Sequence, residues 1–488
     1  MTKSAIATRV VVATAVVAVA GVAIVYAALQ LRKQSALARL PRLPDVAAHS
    51  EAVAAHLRER DAAARTDPAS VQAVGALCLA YHADLVYDAA ERCYALMEEL
   101  DPAGWQWIYY RALAESARGS DETLTAGMRK VVALAPEFGP AWWRLGEAEF
   151  KQRRYDAASE AWRRAASSRE PDRTPMPGAP AHLVSVPLSS HAALGLARVA
   201  LVREDAEGAR QILEPLAARA PAFGPAFRLL GESYTRLGRP DDAARVVLHA
   251  NRQAAYASYA DPMVDRLAAE SRNSTFLLQQ AASTDLIDNA AWKEYLLTRA
   301  LDFDPMNPAV VYELASHLRS LARNDEALEL FHRYARLVPE DYQGLGQIGS
   351  CLAELGRFAE AEPYLRGALA LVDDAVTHYD LGFVLTRLGR AREGIAEYER
   401  ALERDPTHVK ARTNLAVNLV AMGQVERASR ELTRVVAVDP ENASARTNLG
   451  AVLVQQGQVE RAVREFREAL RIDPGQVQAR TALEALGR

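Results

Sequence analysis

The feature that most constrains this chain is a clock of prolines. Pro68, Pro102 and Pro136 stand 34 residues apart, as do Pro305 and Pro339, and again Pro406, Pro440 and Pro474. A fixed period of this length marks stacked supersecondary units, not one closed core. Within a period the apolar residues recur at i, i+3, i+4 and i+7, then at i, i+4 and i+7, so each period reads as two helices. Glycine recurs between the two helices, where a C-terminal cap needs positive φ, and proline stops the second helix. One such pair cannot bury its apolar face alone, and stacked neighbours complete the core. The expected fold class is all-α.

The clearest unit, residues 139–172, places Trp142, Leu145 and Gly146 on its first helix and Ala158, Trp162 and Ala165 on its second. Residues 375–408 carry Leu381, Gly382, Leu385, Gly389, Gly394, Tyr398, Ala401 and Pro406. Residues 443–476 carry Leu449, Gly450, Leu453, Gly457, Ala462, Phe466, Ala469 and Pro474. Small residues sit where the helices cross and let the backbones approach. This pattern resembles the tetratricopeptide (TPR) repeat family, of the membrane-anchored bacterial type. Units begin at Val71, Trp105, Gly139, Ser190, Gly224, Ser274, Pro308, Tyr342, Ala375, Val409 and Ala443, about eleven over roughly four-fifths of the chain. Two are weak, with Arg111 and Gln280 at positions that favour apolar residues. The resemblance implies a right-handed superhelical α-solenoid that binds other proteins or extended peptides on its concave face.

Val10 to Leu29 is an uncharged apolar run. As a helix it spans about 30 Å, the thickness of a bilayer core. The expectation is a single transmembrane anchor (1–30), with a cleaved signal peptide as the alternative. Lys and Arg counts on the two sides favour a cytoplasmic repeat region, while the short basic tail and the ease with which long domains translocate favour the opposite side. An extracytoplasmic location is the reading preferred. A linker (31–45), with Pro41 and Pro44, and an amphipathic capping helix (46–70) follow. The repeats then divide into blocks at 71–172, 190–257 and 274–476, and a capping helix (477–488) closes the chain. Between the blocks lie a proline-rich insertion (173–189) and a second insertion (258–273) with an Asp261-Pro262 turn and a short helix. Both insertions read as surface additions or as divisions between blocks of different curvature.

The rest of the sequence excludes more than it suggests. A formal net charge of −4 gives no electrostatic case for nucleic acid. Three cysteines are too few for a disulfide framework. Cys78 at a small crossing position reads as a buried thiol, with a Cys78–Cys93 bridge as the alternative. His49 and His56 lie too far apart along a helix to share a metal and read as solvated or packing side chains. Gly344, Gly346 and Gly349 match G-x-G-x-x-G but fall on a repeat helix, where no dinucleotide turn can form. Asn273-Ser274-Thr275 and Asn442-Ala443-Ser444 match a short glycosylation pattern. No catalytic motif, cofactor site or small-molecule site emerges, and the chain reads as a non-enzymatic scaffold for complex assembly at the cell envelope. The alternative is an accessory subunit of a membrane-associated or periplasmic enzyme system.

Two candidate binding patches follow from the resemblance. In the C-terminal repeats Asn414 and Asn448 occupy equivalent positions within Ala-Arg-Thr-Asn-Leu, as rungs of an asparagine ladder that pairs with a peptide backbone through amide donors and acceptors. Thr413, Thr447 and Asn418 would add to it, and the preceding rungs are Gln347 and Asp380. In the N-terminal repeats Tyr109 and Trp143 share a concave position and Phe150 lies further along, an aromatic patch of the kind that dominates binding energy.

Overall fold

The computed structural model describes residues 3–47, 49–119, 121–168, 187–221, 223–252, 261–283 and 290–488. Of the proline-rich insertion, 173–186 lies outside the described residues. Every regular element among them is helical. Eleven helix pairs follow one another, here numbered as repeats 1 to 11. They are Val71–Ala83 with Tyr87–Leu100, Trp105–Ser116 with Asp121–Leu134, Gly139–Lys151 with Tyr155–Ser167, and Leu188–Val202 with Ala206–Arg219. Next come Gly224–Arg236 with Pro240–Arg252, Ser274–Ser283 with Ala290–Phe303, and Pro308–Ser320 with Asn324–Leu337. The last four are Tyr342–Glu354 with Phe358–Leu371, Ala375–Arg387 with Ala391–Arg404, Val409–Ala421 with Val425–Val438, and Ala443–Gln455 with Val459–Ile472. First helices begin where the 34-residue register puts them, except in repeat 4, which starts at Leu188 instead of Ser190.

Two compact units share these pairs, residues 1–307 and residues 308–488. The boundary falls between repeats 6 and 7, at neither insertion. Inside each unit the two helices of every repeat pack on one another, and first helices of successive repeats also touch in repeats 3 to 5 and 8 to 11. First helices therefore line the inner face and second helices the outer one.

The small crossing positions explain the packing. Trp162 is fully buried on the second helix of repeat 3. Its indole fills the space left by Gly146 on its own repeat and by Gly195 on the next, where an added Cβ would overlap the ring. Phe466 against Gly450 and Tyr398 against Gly382 repeat this arrangement in the second unit. The turn between helices closes with a left-handed residue. Gly389 has φ 80°, and the Arg390 N–H reaches back to the Leu385 carbonyl at 2.9 Å. Arg153 takes the same turn at φ 59° without being glycine, a conformation that costs an L-residue roughly 1–2 kcal/mol.

The N-terminal end differs from the reading of the sequence. The N-terminal helix runs unbroken from Lys3 to Arg39, so the first half of the expected linker is helical. Nothing in Leu31–Leu40 breaks a helix before Pro41, and the segment is held against repeat 1. Ala36 and Leu40 are buried, Arg39 pairs with Glu99, and Lys33 pairs with Asp67 at 3.0 Å. The next helix starts at Glu51, not Val46, because the Ser50 side chain accepts the Val53 N–H as its cap. At the other end Val477–Ala485 buries Ala479 and Leu483 on the core of the second unit.

Cys78 and Cys93 form a disulfide, with Cα atoms 5.2 Å apart. The expectation of a buried free thiol is corrected, and the reason is visible in the register. Cys78 takes the small crossing position that glycine holds elsewhere, the point of closest approach to the second helix. Cys351 is buried and free. Gly344, Gly346 and Gly349 lie within the helix Tyr342–Glu354. Asn273 and Asn442, the two glycosylation candidates, cap helices through their side-chain oxygens to Phe276 N and Ala445 N.

Candidate protein-binding faces

In the second unit the sixth position of each first helix forms a column on the inner face: Glu313, Gln347, Asp380, Asn414 and Asn448. Asn414 and Asn448 are half-buried. The Asn414 side chain also lies beside the Tyr379 and Tyr398 hydroxyls. Val376 and Val417 flank the column and are 56% and 50% exposed. Exposed apolar side chains beside half-buried amides are what an extended peptide can use.

The supporting residues proposed for the ladder behave differently. Thr413 Oγ donates to the Val409 carbonyl at 2.9 Å, and Thr447 Oγ to the Ala443 carbonyl at 2.9 Å. Asn418 Nδ2 donates to the Asn414 carbonyl at 2.8 Å. Thr447 and Asn418 are buried as well. These three groups satisfy their own helices, whereas the Asn414 amide bonds the Tyr379 and Tyr398 side chains. The arginine of the shared motif has a structural task. Arg412 binds Glu431 and the Pro406 carbonyl, and Arg446 binds Glu465 and the Pro440 carbonyl, tying each first helix to its partner helix and to the preceding proline stop.

Asp380 sits in the column one repeat before Asn414. Burial pushes its carboxyl up to about 6, against a hydrogen bond from Ser350 and the charges of Arg319 and Lys410. At the next rung Gln347 Nε2 faces the Tyr312 hydroxyl at 3.4 Å.

The N-terminal patch is not an open surface at Tyr109. Tyr109 is fully buried and its hydroxyl donates to Asp261 Oδ2 at 2.6 Å. Arg144 Nη2 donates to the same oxygen at 2.7 Å. The partner residue comes from the second insertion, whose helix Pro262–Glu270 lies against the first helix of repeat 1. Trp143 and Phe150 are half-buried. Trp143 meets His191 edge-on at 6.4 Å, and the Arg198 guanidinium covers the Phe150 ring at 4.2 Å. The three aromatics thus serve three separate contacts.

His56, which the sequence left as a solvated or packing side chain, is buried in the same region. Its Nδ1 faces Asp84 Oδ2 at 2.9 Å and its Nε2 faces Glu270 Oε1 at 3.0 Å. Burial opposes a charge on the ring, but the two carboxylates outweigh it and raise the His56 pKa. The signal that could have pointed here is the Asp261-Pro262 cap. Where that helix docks could not be read. Among the described residues no cluster of His, Cys, Asp and Glu could hold a metal ion.

Helix pairs in register and inner faces built from first helices define a tandem-repeat binding scaffold. Sequence models of the tetratricopeptide repeat match residues 128–174, 312–376 and 413–477, and a second such model matches 385–439. The chain is a tetratricopeptide-repeat protein. A protein O-mannosyl-transferase of Caenorhabditis elegans is 29% identical over 99 residues, 20% of this chain. The chain spans only 14% of that relative's length. Among solved structures, YrrB, described as a TPR protein with an unusual peptide-binding site, is 22% identical over 38% of this chain and 97% of its own, at a TM-score of 0.33. The APC/C hetero-tetramer Cut9–Hcn1 matches 83% of this chain and 94% of its own at 12% identity and a TM-score of 0.41.

Proposed function

We propose that the protein is an envelope-anchored scaffold that holds an extended segment of a partner protein on the inner face of its C-terminal repeats. The observation that carries this reading is the pair Asn414 and Asn448, half-buried at one register on adjacent first helices, in repeats that also expose Val376 and Val417. Each amide can donate to and accept from a peptide unit whatever side chain that unit carries. The segment is therefore selected by extended shape and apolar side chains more than by a fixed sequence.

The anchor is the apolar run within the helix Lys3–Arg39. Among the described residues no helix is long and apolar enough to cross a membrane, and side chains of this helix are described only from Ala20 onward. Support comes from Val22, Ile24, Val25 and Tyr26, each at least 60% exposed on one continuous helix. Such surface is normally covered by another protein or by lipid. The Cys78–Cys93 disulfide favours placing the repeats outside the cytoplasm, since such bonds persist in oxidising compartments.

Cross-linking and pull-down of the membrane-anchored chain, compared with an Asn414→Ala/Asn448→Ala variant, tests the groove. Loss of captured partners is expected. An unchanged set of partners rejects the ladder.

A further inference from the structure

One segment of the chain stands outside the repeats and binds to them. Residues 261–273 contact residues that precede them by 117 to 214 positions, and Arg299 of repeat 6 donates to the Ala268, Ala269 and Ser271 carbonyls, all within the first unit. At its start Asp261 caps the helix Pro262–Glu270 through Met263 N and Val264 N. Its other carboxylate oxygen takes the Tyr109 hydroxyl and the Arg144 guanidinium. Tyr109 belongs to repeat 2 and Arg144 to repeat 3, so one acid bridges two first helices.

The far end is held as firmly. Glu270 accepts from Arg60 Nε at 2.7 Å and faces His56 at 3.0 Å. Ser271 Oγ donates to the Ala83 carbonyl at 2.9 Å, and the Arg272 N–H donates to Asp84 Oδ1 at 2.8 Å. Between the ends the apolar contribution is small: Leu267 and Ala268 are buried, and Met263 packs against the core of repeats 2 and 3.

The register gives this contact its meaning. Arg144 is the sixth residue of its first helix, the position that Asn414 and Asn448 hold in repeats 10 and 11. In repeat 3 that position grips a peptide segment from outside the repeats. The inner face of the N-terminal repeats is therefore seen with a ligand in place, supplied by the chain itself. Its attachments are mostly charged and polar: Arg144, Arg60 and Glu270 keep 23%, 31% and 21% of their side-chain surface in solvent, while Asp261, His56, Asp84 and Ser271 are buried. A contact of that kind exchanges more readily than buried apolar packing.

We propose that the inner face of repeats 1 to 3 is a second partner site, held closed by residues 261–273 acting as an intramolecular ligand. Its partner presents a carboxylate at the N-cap of a short helix, as Asp261 does. This site is independent of the asparagine ladder.

The test uses the full-length chain and a fluorescent synthetic peptide of residues 261–273. An Asp261→Ala/Glu270→Ala chain releases the internal segment. The free peptide is expected to bind that variant at least about tenfold more tightly than the wild-type chain, whose site is filled, because apparent affinity falls with the open fraction. Adding Arg144→Ala to the variant removes binding, while adding Asn414→Ala/Asn448→Ala leaves it unchanged. Equal affinity for wild type and variant, or no binding to a variant with wild-type circular dichroism, overturns the proposal. If the variant does not fold, amide exchange in the wild-type chain decides. Exchange in Pro262–Glu270 well ahead of the helix Val71–Ala83 supports release, and exchange as slow as in that helix makes the segment a fixed strut.

Discussion

Replacing Gly146 by alanine sets two physical effects against each other. In an isolated helix the change stabilises by about 0.5–1 kcal/mol, because alanine has less backbone entropy to lose. In this protein the new Cβ would stand 2.5 Å from Cδ1 and Nε1 of Trp162. The indole is fully buried and also presses on Gly195, so it cannot swing aside. Overpacking of this kind costs about 1–3 kcal/mol, and the rigidity of the ring argues for the upper part of that range. The net expectation is destabilisation by roughly 2 kcal/mol after the helix term is subtracted. Trp162→Ala by itself costs about 3–5 kcal/mol. In that background the obstruction is gone, and Gly146→Ala stabilises by about 1 kcal/mol.

The double-mutant cycle therefore carries a coupling of about 3 kcal/mol, with a change of sign. Urea unfolding followed by tryptophan fluorescence reads it directly. All six tryptophans precede residue 307, so the signal reports the first unit. At a slope of about 1–3 kcal/mol per molar urea, a 2 kcal/mol loss moves the midpoint by roughly 1 M. If Gly146→Ala stabilises the parent chain, the ring is not wedged between the glycines and the packing argument fails.

Two further outcomes follow from the disulfide and from Asp380. Reducing Cys78–Cys93, whose sequence separation is 15, should lower the stability of the first unit by about 3 kcal/mol. Without reductant, thiol titration in denaturant should find one reactive thiol, Cys351, and three would refute the bridge. Burial raises Asp380 to about 6, above the value of about 3.9 in an unfolded chain, so its protonated form is favoured by folding. Stability from this group is then full at low pH, declines from about pH 4 to pH 6 and levels off above. Asp380→Asn should raise the urea midpoint of the second unit, followed by circular dichroism, at pH 8 and leave it unchanged at pH 4. An equal shift at both pH values would rule out titration of Asp380 as the cause.

What the sequence determined by itself was everything that repeats. The 34-residue proline period, the apolar spacing and the glycines at 146, 382 and 450 placed the helices almost to the residue. Each is a local requirement: a helix stop, a buried stripe, a close crossing. It also marked the two asparagines, because register alone puts them on equivalent points of adjacent helices. Even the disulfide was half visible, since Cys78 holds the crossing position nearest the second helix.

What only the tertiary structure decided was everything that happens once. Tyr109 reads as an exposed groove aromatic by register and is covered by Asp261. His56 reads as a solvated or packing side chain and lies between Asp84 and Glu270. Residues 261–273 have no period to betray their place, and the partners of Asp261 and Glu270 lie more than a hundred residues earlier. A repeat pattern encodes contacts between neighbours, which sequence spacing fixes. The docking of a segment onto a distant face depends on how the stacked repeats bring that face to it, and no local rule carries that distance.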